Sequence, residues 1–276
     1  MSHGRDDHGF AHSLTDLMAG VAVTFLLIAA IFMLQASRAR AEATRRADDA
    51  KRQAAQAAVA EEKYINLKRS AQRSIDALRT LQERLKASQI ETELDRDDPF
   101  LMRIIFQSET LFEPSECVPS KAAREHIGGQ VFEAFRAVCE SSFRSTFLHS
   151  IVLEGHTDRN PFSGGTERCG SVDHCESRDC SEEGFRNNVR LSAARAQEVF
   201  FEARRRFEAT GGDATLVHEC LDQYFAVVGR GPVEPRGGGT WTAPATAEEL
   251  RRDRRVVLKV RAKSPSALSA EEQVGH

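Results

Sequence analysis

Aromatic residues other than phenylalanine are nearly missing from this sequence: one Trp and two Tyr in 276 residues. That leaves no material for a stacked platform of the kind that binds single-stranded nucleic acid. A dominant charge is missing too. The net charge is −3, too small to steer a strongly charged partner, so no direct nucleic-acid contact is expected. From Gln35 to Glu93 there is neither Gly nor Pro, which excludes a turn-rich segment there. Cysteine is confined to the later part of the chain, as Cys117, Cys139, Cys169, Cys175, Cys180 and Cys220. An even count on one side of an apolar span fits disulfides in an oxidising compartment, although the sequence selects no pairing. With 41% apolar residues, the chain holds one good soluble domain plus extensions.

Only one long apolar run is present, Leu14 to Leu34, and its single ionisable residue is Asp16. A span of about 20 residues matches a helix crossing a ~30 Å hydrocarbon core. A carboxylate at membrane depth costs several kcal/mol unless paired, hydrated or protonated, which makes Asp16 a candidate ion carrier. Two plainer readings stand beside it. Ser13, Thr15 and Asp16 are all helix N-cap types. Ala39-Arg40-Ala41 also resembles a signal-peptide cleavage site, although the run is too long and Arg5 is offset by Asp6 and Asp7. Residues 1–13 form a short polar tail, expected in the cytoplasm. The basic flank Arg38, Arg40, Arg45, Arg46, Lys51 and Arg52 argues for the opposite orientation. The cysteines and the domain that follows favour the reverse, and the domain is trusted because a partner membrane protein can impose orientation. Its family resemblance implies a single-pass protein of the bacterial inner membrane with a periplasmic carboxyl-terminal domain.

Residues 35–98 read as a helical linker, up to ~90 Å long at 1.5 Å per residue. Ala57, Ala60, Tyr64, Leu67, Ala71, Ser74, Leu78, Leu81, Leu85 and Ser88 keep a 3–4 spacing. They would serve a weak parallel coiled coil, or the helix is solvated and single. Beyond Asp95–Pro99, strands are expected at Leu101–Phe106, Phe147–Glu154, Tyr224–Val228 and Arg255–Val260. Helices are expected from Ser120 to Cys139, from Asn188 to about Phe207 and at Ala247–Arg252. Alternating strands and helices make a compact α/β sandwich over residues 99–262. The tail 263–276 has no periodicity and is expected to be flexible.

Four stretches carry a more specific signal: Leu153-Glu154-Gly155-His156-Thr157-Asp158; Asn188-Val189-Arg190-Leu191-Ser192-Ala193-Ala194-Arg195-Ala196; Val228-Gly229-Arg230-Gly231-Pro232; and Asp253-Arg254-Arg255-Val256. In this order they resemble the OmpA-like peptidoglycan-binding domain. The resemblance implies that Asp158 and Arg195, supported by Thr157, Asn188 and Arg254, grip the zwitterionic end of a diaminopimelate residue. The chemistry is sensible in itself, because an acid facing an Arg suits a ligand bearing both ammonium and carboxylate. An ordinary salt bridge between Asp158 and Arg195 is the alternative. The chain departs from the family between Asp158 and Asn188, where about thirty residues carry Cys169, His174, Cys175 and Cys180. Zinc binding would want a two-residue cysteine gap that is missing, so no metal site is assigned and disulfides are preferred. The insertion at 159–187 bears on access to the groove.

An OmpA-like domain after one membrane helix with an acid near its start resembles the MotB-type stator subunits. The run Thr15-Asp16-Leu17-Met18 and the apolar residues after it are similar to the ZorB subunits of Zorya anti-phage defence systems. The resemblance implies a homodimer inside a ring of multi-span ZorA/MotA-like membrane subunits, anchored to peptidoglycan and driven by ion flow through Asp16. H⁺ or Na⁺ would be the translocated ion, with no cofactor. A flagellar-type stator and a passive membrane-to-wall tether are the alternatives. No enzymatic activity is expected: His156 and Asp158 have no identifiable nucleophile in register.

Overall fold

A helix without a single internal Gly or Pro after residue 20, α1 (Asp7–Ala87), begins the chain in a computed structural model that describes residues 7–113, 116–160, 181–209, 217–233 and 245–265. Side chains of residues 7–16 lie outside this description, and Asp16 is among them. The helix starts at Asp7 rather than Leu14. It contains one stretch long and apolar enough to cross a membrane. Within it Leu17, Val21, Phe25, Leu26, Ile31, Phe32 and Leu34 all expose their side chains. Apolar surface of this extent needs lipid or partner helices around it.

Residues 1–66 and 67–276 form two compact units. The second unit includes the end of α1, and here the structure corrects the linker reading. Ser74, Leu78, Leu81 and Leu85 are buried in the unit's own core. The later part of the seam therefore packs intramolecularly and is not free for a coiled-coil partner, whereas Tyr64 is exposed. The helix also stops at Ala87, short of Glu93. Gln89 adopts a left-handed φ of 59°, and Ile90 donates its N–H to the Leu85 carbonyl at 3.0 Å, a helix-ending turn. Glu91–Leu94 is then a strand, β1. Ile90 and Thr92 point inward while Glu91 and Glu93 stay exposed; this period-2 alternation won over the helix propensity of the glutamates.

The other strands are β2 (Leu101–Gln107), β3 (Leu148–His156), β4 (Phe225–Gly231) and β5 (Arg255–Ala262). Their order is β1-β2-β5-β3-β4, antiparallel except for the β3–β4 pair. Ser120 caps α2 (Lys121–His126) by accepting the Ala123 N–H at 3.2 Å. A π-turn (Ile127–Val131) leads into α3 (Phe132–Cys139), and α4 (Ser141–Phe147) precedes β3. Among the described residues β3 is followed by the long α5 (Ser181–Ala209) and the short α6 (Asp222–Tyr224). A capping box at Thr246 and Glu249 starts α7 (Ala247–Asp253).

The core lies between the helices and one face of the sheet. Val131, Ala134, Phe135 and Val138 from the π-turn and α3, with Ala196, Val199, Ala203 and Phe207 from α5, cover Ile104, Ile151, Leu153, Leu258 and Val260. A disulfide joins Cys139 to Cys220, both fully buried, across 81 residues. Closing a loop of that length removes about 4 kcal/mol of entropy from the unfolded chain. Cys117 is also disulfide-bonded; Cys169, Cys175 and Cys180 lie outside the described residues, as does most of the tail.

Two glycines bring α5 down onto the end of the sheet. A Cβ on Gly155 would collide with the Ser192 backbone carbonyl. Gly231 has φ +58° and sits against Val189, a conformation that only glycine adopts freely. Its N–H donates to Ser192 Oγ at 2.9 Å, and that hydroxyl donates to the Val189 carbonyl at 2.7 Å.

The opposite face is charged. Glu154, 1% exposed, accepts Arg230 through Nε (3.1 Å) and Nη2 (2.9 Å), Lys259 Nζ (2.7 Å) and His156 Nε2 (3.3 Å). Burial works to raise its carboxyl, but the hydrogen bonds from His156, Lys259 and Arg230 outweigh it and hold the pKa at about 2, below the ordinary 4.5. A depressed acid contributes stability above its unfolded pKa and loses it as the pH falls through the folded one. Urea unfolding should therefore weaken between pH ~4.5 and ~2, and Glu154→Gln should flatten that part of the profile. Gly155→Ala should cost about 2–3 kcal/mol in the same assay, because the obstructing atom is backbone and cannot rotate away.

Candidate functional site

The carboxyl ends of β2, β3 and β4 and the start of β5 converge on one edge of the domain. The antiparallel ladder there closes with His156 opposite Arg255. Beyond it, Thr157 anchors its N–H on the Gly231 carbonyl at 3.1 Å, and Ser108 anchors its N–H on the Arg254 carbonyl at 3.0 Å. These backbone bonds present Asp158 and Arg254 side by side. Arg254 Nη1 lies 3.4 Å from Asp158 Oδ2, while Arg254 Nη2 donates to Glu109 Oε1 at 2.9 Å. The Asp158 carboxylate also accepts the Asn160 N–H at 3.0 Å. Burial raises its pKa, with Asp253 adding to the rise; Arg254, the Asn160 N–H and Arg195 oppose it.

Arg195 reaches the same edge from α5, carried there by the glycine-mediated approach of that helix. It is 3% exposed. Its Nε donates to the Glu116 carbonyl (2.8 Å), Nη1 to Ser108 Oγ (3.3 Å) and Nη2 to the Glu113 carbonyl (3.4 Å). The guanidinium lies 5.2 Å from the centroid of the Phe112 ring. All three acceptors are neutral, and no carboxylate among the described residues is within ion-pair reach. Burial first and nearby Arg254 second lower the Arg195 pKa to about 10, against the pull of Asp158 and Glu116. It still carries its charge at neutral pH. A direct Asp158–Arg195 salt bridge, the alternative reading of the two residues, is not formed.

Asn188 and Thr157 play quieter parts in the geometry. The Asn188 amide donates to the carbonyls of Asn160 (2.8 Å) and Asp158 (3.4 Å), bracing the loop that holds the acid. Thr157 is buried, and its hydroxyl has no hydrogen-bond partner. Sequence reasoning named these two with Asp158, Arg195 and Arg254, and the structure brings all five to one edge. Glu109, Phe112, Arg159 and Asp253 were not named. Arg159 Nε meets Asp253 Oδ2 at 3.0 Å, with side chains 6% and 2% exposed. Each is the chain neighbour of a named residue, which was the available signal; Glu109 had none.

Chemically, the edge offers a buried cation held by neutral oxygens, a second cation shared between two acids, and a half-buried carboxylate. That combination suits an anion and a cation carried on one small ligand. No group of three or more metal-ligating side chains occurs among the described residues.

No family model matches the chain, and no characterised protein matches it in sequence. Among solved structures, the cell wall anchor of the T6SS from Pseudomonas aeruginosa aligns at 24% identity over 67% of this chain and 96% of its own, with TM-score 0.40. A putative MotB-like protein from Desulfovibrio vulgaris aligns at 18% identity over 70% of this chain and 99% of its own, with TM-score 0.44. The periplasmic domain of Helicobacter pylori MotB aligns at 16% identity over 67% and 87%, with TM-score 0.40. Every one of these scores is below 0.5, so the likenesses decide nothing about what this chain binds.

Proposed function

We propose that the chain is a membrane-attached, peptidoglycan-anchored stator subunit of MotB type, serving an ion-driven rotary complex in anti-phage defence as ZorB subunits do. Arg195 is the observation that carries the anchoring half. A guanidinium buried with no contacting carboxylate among the described residues gains nothing there by ion pairing, yet it costs desolvation. It is repaid when a ligand carboxylate arrives. The long Nη2 contact to the Glu113 carbonyl is the one that gives way to such a carboxylate, and Asp158 takes the ligand ammonium. Diaminopimelate in a peptidoglycan stem carries both groups on one carbon.

The motor half rests on Asp16 and the exposed apolar helix around it. Two copies would place their acids within a ring of multi-span ZorA/MotA-like subunits. Ion uptake, as H⁺ or Na⁺, neutralises each acid on one side, and release on the other restores its charge. A membrane potential supplies about 2.3 kcal/mol per charge per 100 mV, enough for a few ions to drive each step. The buried disulfide supports a periplasmic carboxyl-terminal domain, with the amino terminus in the cytoplasm. A domain fixed to the wall makes the ring turn rather than the anchor.

Two measurements test the halves separately. Asp158→Ala and Arg195→Met should each reduce co-sedimentation of the full chain with purified sacculi at least tenfold; undiminished binding refutes the ligand assignment. Asp16→Asn should abolish phage protection and ion flux while assembly with partner subunits stays normal. If it retains full activity, a passive tether remains.

A further inference from the structure

Asp158, which takes the ligand ammonium in the reading above, and Arg254, its ion-pair neighbour, stand on two segments that leave the β3–β5 ladder after its last pair, His156 opposite Arg255. Beyond it each segment is tied to a different neighbour, Thr157 to Gly231 and Arg254 to Ser108, and the direct contact between Asp158 and Arg254 is long, at 3.4 Å. One residue along, the picture reverses. Arg159, next to Asp158, and Asp253, next to Arg254, meet at 3.0 Å with almost no exposed side chain. Arg255 Nη1 also donates to the Asp253 carbonyl at 3.1 Å, holding that end of the clamp to β5.

We propose that Arg159–Asp253 is a positioning pair: it holds Asp158 against Arg254, and so sets where the Asp158 carboxylate stands relative to Arg195 and the preference for a ligand carrying ammonium and carboxylate on one carbon. The inference rests on the ligand reading above. The pair touches no ligand; it acts through its neighbours. A buried ion pair is a poor source of stability, since well-packed apolar residues of similar volume often replace it at no loss. What such residues cannot reproduce is a short directional contact between two segments that each lean on a different strand. Breaking the pair should therefore change recognition more than folding.

The test uses the full chain in detergent and two probes: a synthetic tripeptide stem ending in meso-diaminopimelate, and the same peptide with the diaminopimelate carboxylate amidated. Titration calorimetry gives Kd for each, and thermal unfolding is followed in parallel. The double variant Arg159→Met/Asp253→Leu should unfold within a few degrees of wild type, bind the first peptide about tenfold more weakly, and lose its preference over the amide. Asp253→Glu keeps the charges and lengthens the clamp by one methylene. It serves if the apolar pair fails to fold, and should weaken binding about threefold at unchanged melting temperature. Wild-type Kd and preference in a folded variant, with Asp158→Ala inactive, would make the pair merely structural and overturn the proposal alone. Equal binding by wild type and Asp158→Ala would overturn the ligand reading, and the proposal with it.

Discussion

The contact on which the rest of the domain depends is the descent of α5 onto the end of the sheet. Helices normally ride at a distance set by side chains, and here the intervening side chains are missing. Gly155 lets the sheet meet the Ser192 backbone, and Gly229 and Gly231 do the same at Val189 and Ala193. Ser192 then ties helix to strand through its hydroxyl. One turn further on, Arg195 enters the edge where Asp158 and Arg254 stand. A side chain at any of the three glycines would lift the helix, and the guanidinium would move with it relative to residues fixed on the strands. Binding geometry and core packing are thus one constraint.

The charges gathered at this edge are costly, and their cost is informative. Arg195, Arg159 and Asp253 are all nearly inaccessible, and such groups rarely add stability even when paired. Glu154 is different in kind. Its carboxylate receives three cationic or ring donors from three strands, so it is satisfied within the sheet and has no capacity left for a ligand. The two clusters lie four residues apart on one chain segment: the Glu154 carboxylate is saturated by its donors, whereas the Arg195 guanidinium meets only neutral oxygens among the described residues.

How much was legible beforehand follows from which signals are local. Alternation in Leu148–His156 and in Arg255–Ala262, the serine cap at Ser120 and the spacing along α5 are all written within a dozen residues, and each was read to within two or three positions, save that α5 begins earlier. The five named site residues came together because their motifs sit at strand ends that the topology brings to one edge. β1 was missed because its residues are good helix formers and only three alternate inward positions, Ile90, Thr92 and Leu94, announce a strand. The seam on α1 was read with the right period and the wrong partner. A 3–4 spacing of leucines says that one face is buried, not against what. Arg159 and Asp253 meet across 94 positions, a juxtaposition that exists only after the sheet has formed.

That misread seam also decides how the end of α1 belongs to the domain. With Leu78, Leu81 and Leu85 buried in its core, the end of α1 belongs to the folded unit and is not a tether leading up to it. β1, which follows directly, pairs with β2 along its whole length. Asp95 then caps the turn between them by accepting the N–H groups of Asp97 and Asp98 and pairing with Arg103. Force arriving along α1 therefore meets packed leucines and a strand pair before it could stretch any loose chain. Pulling the last turns of α1 away from the sheet would expose those leucines and break the strand pair together.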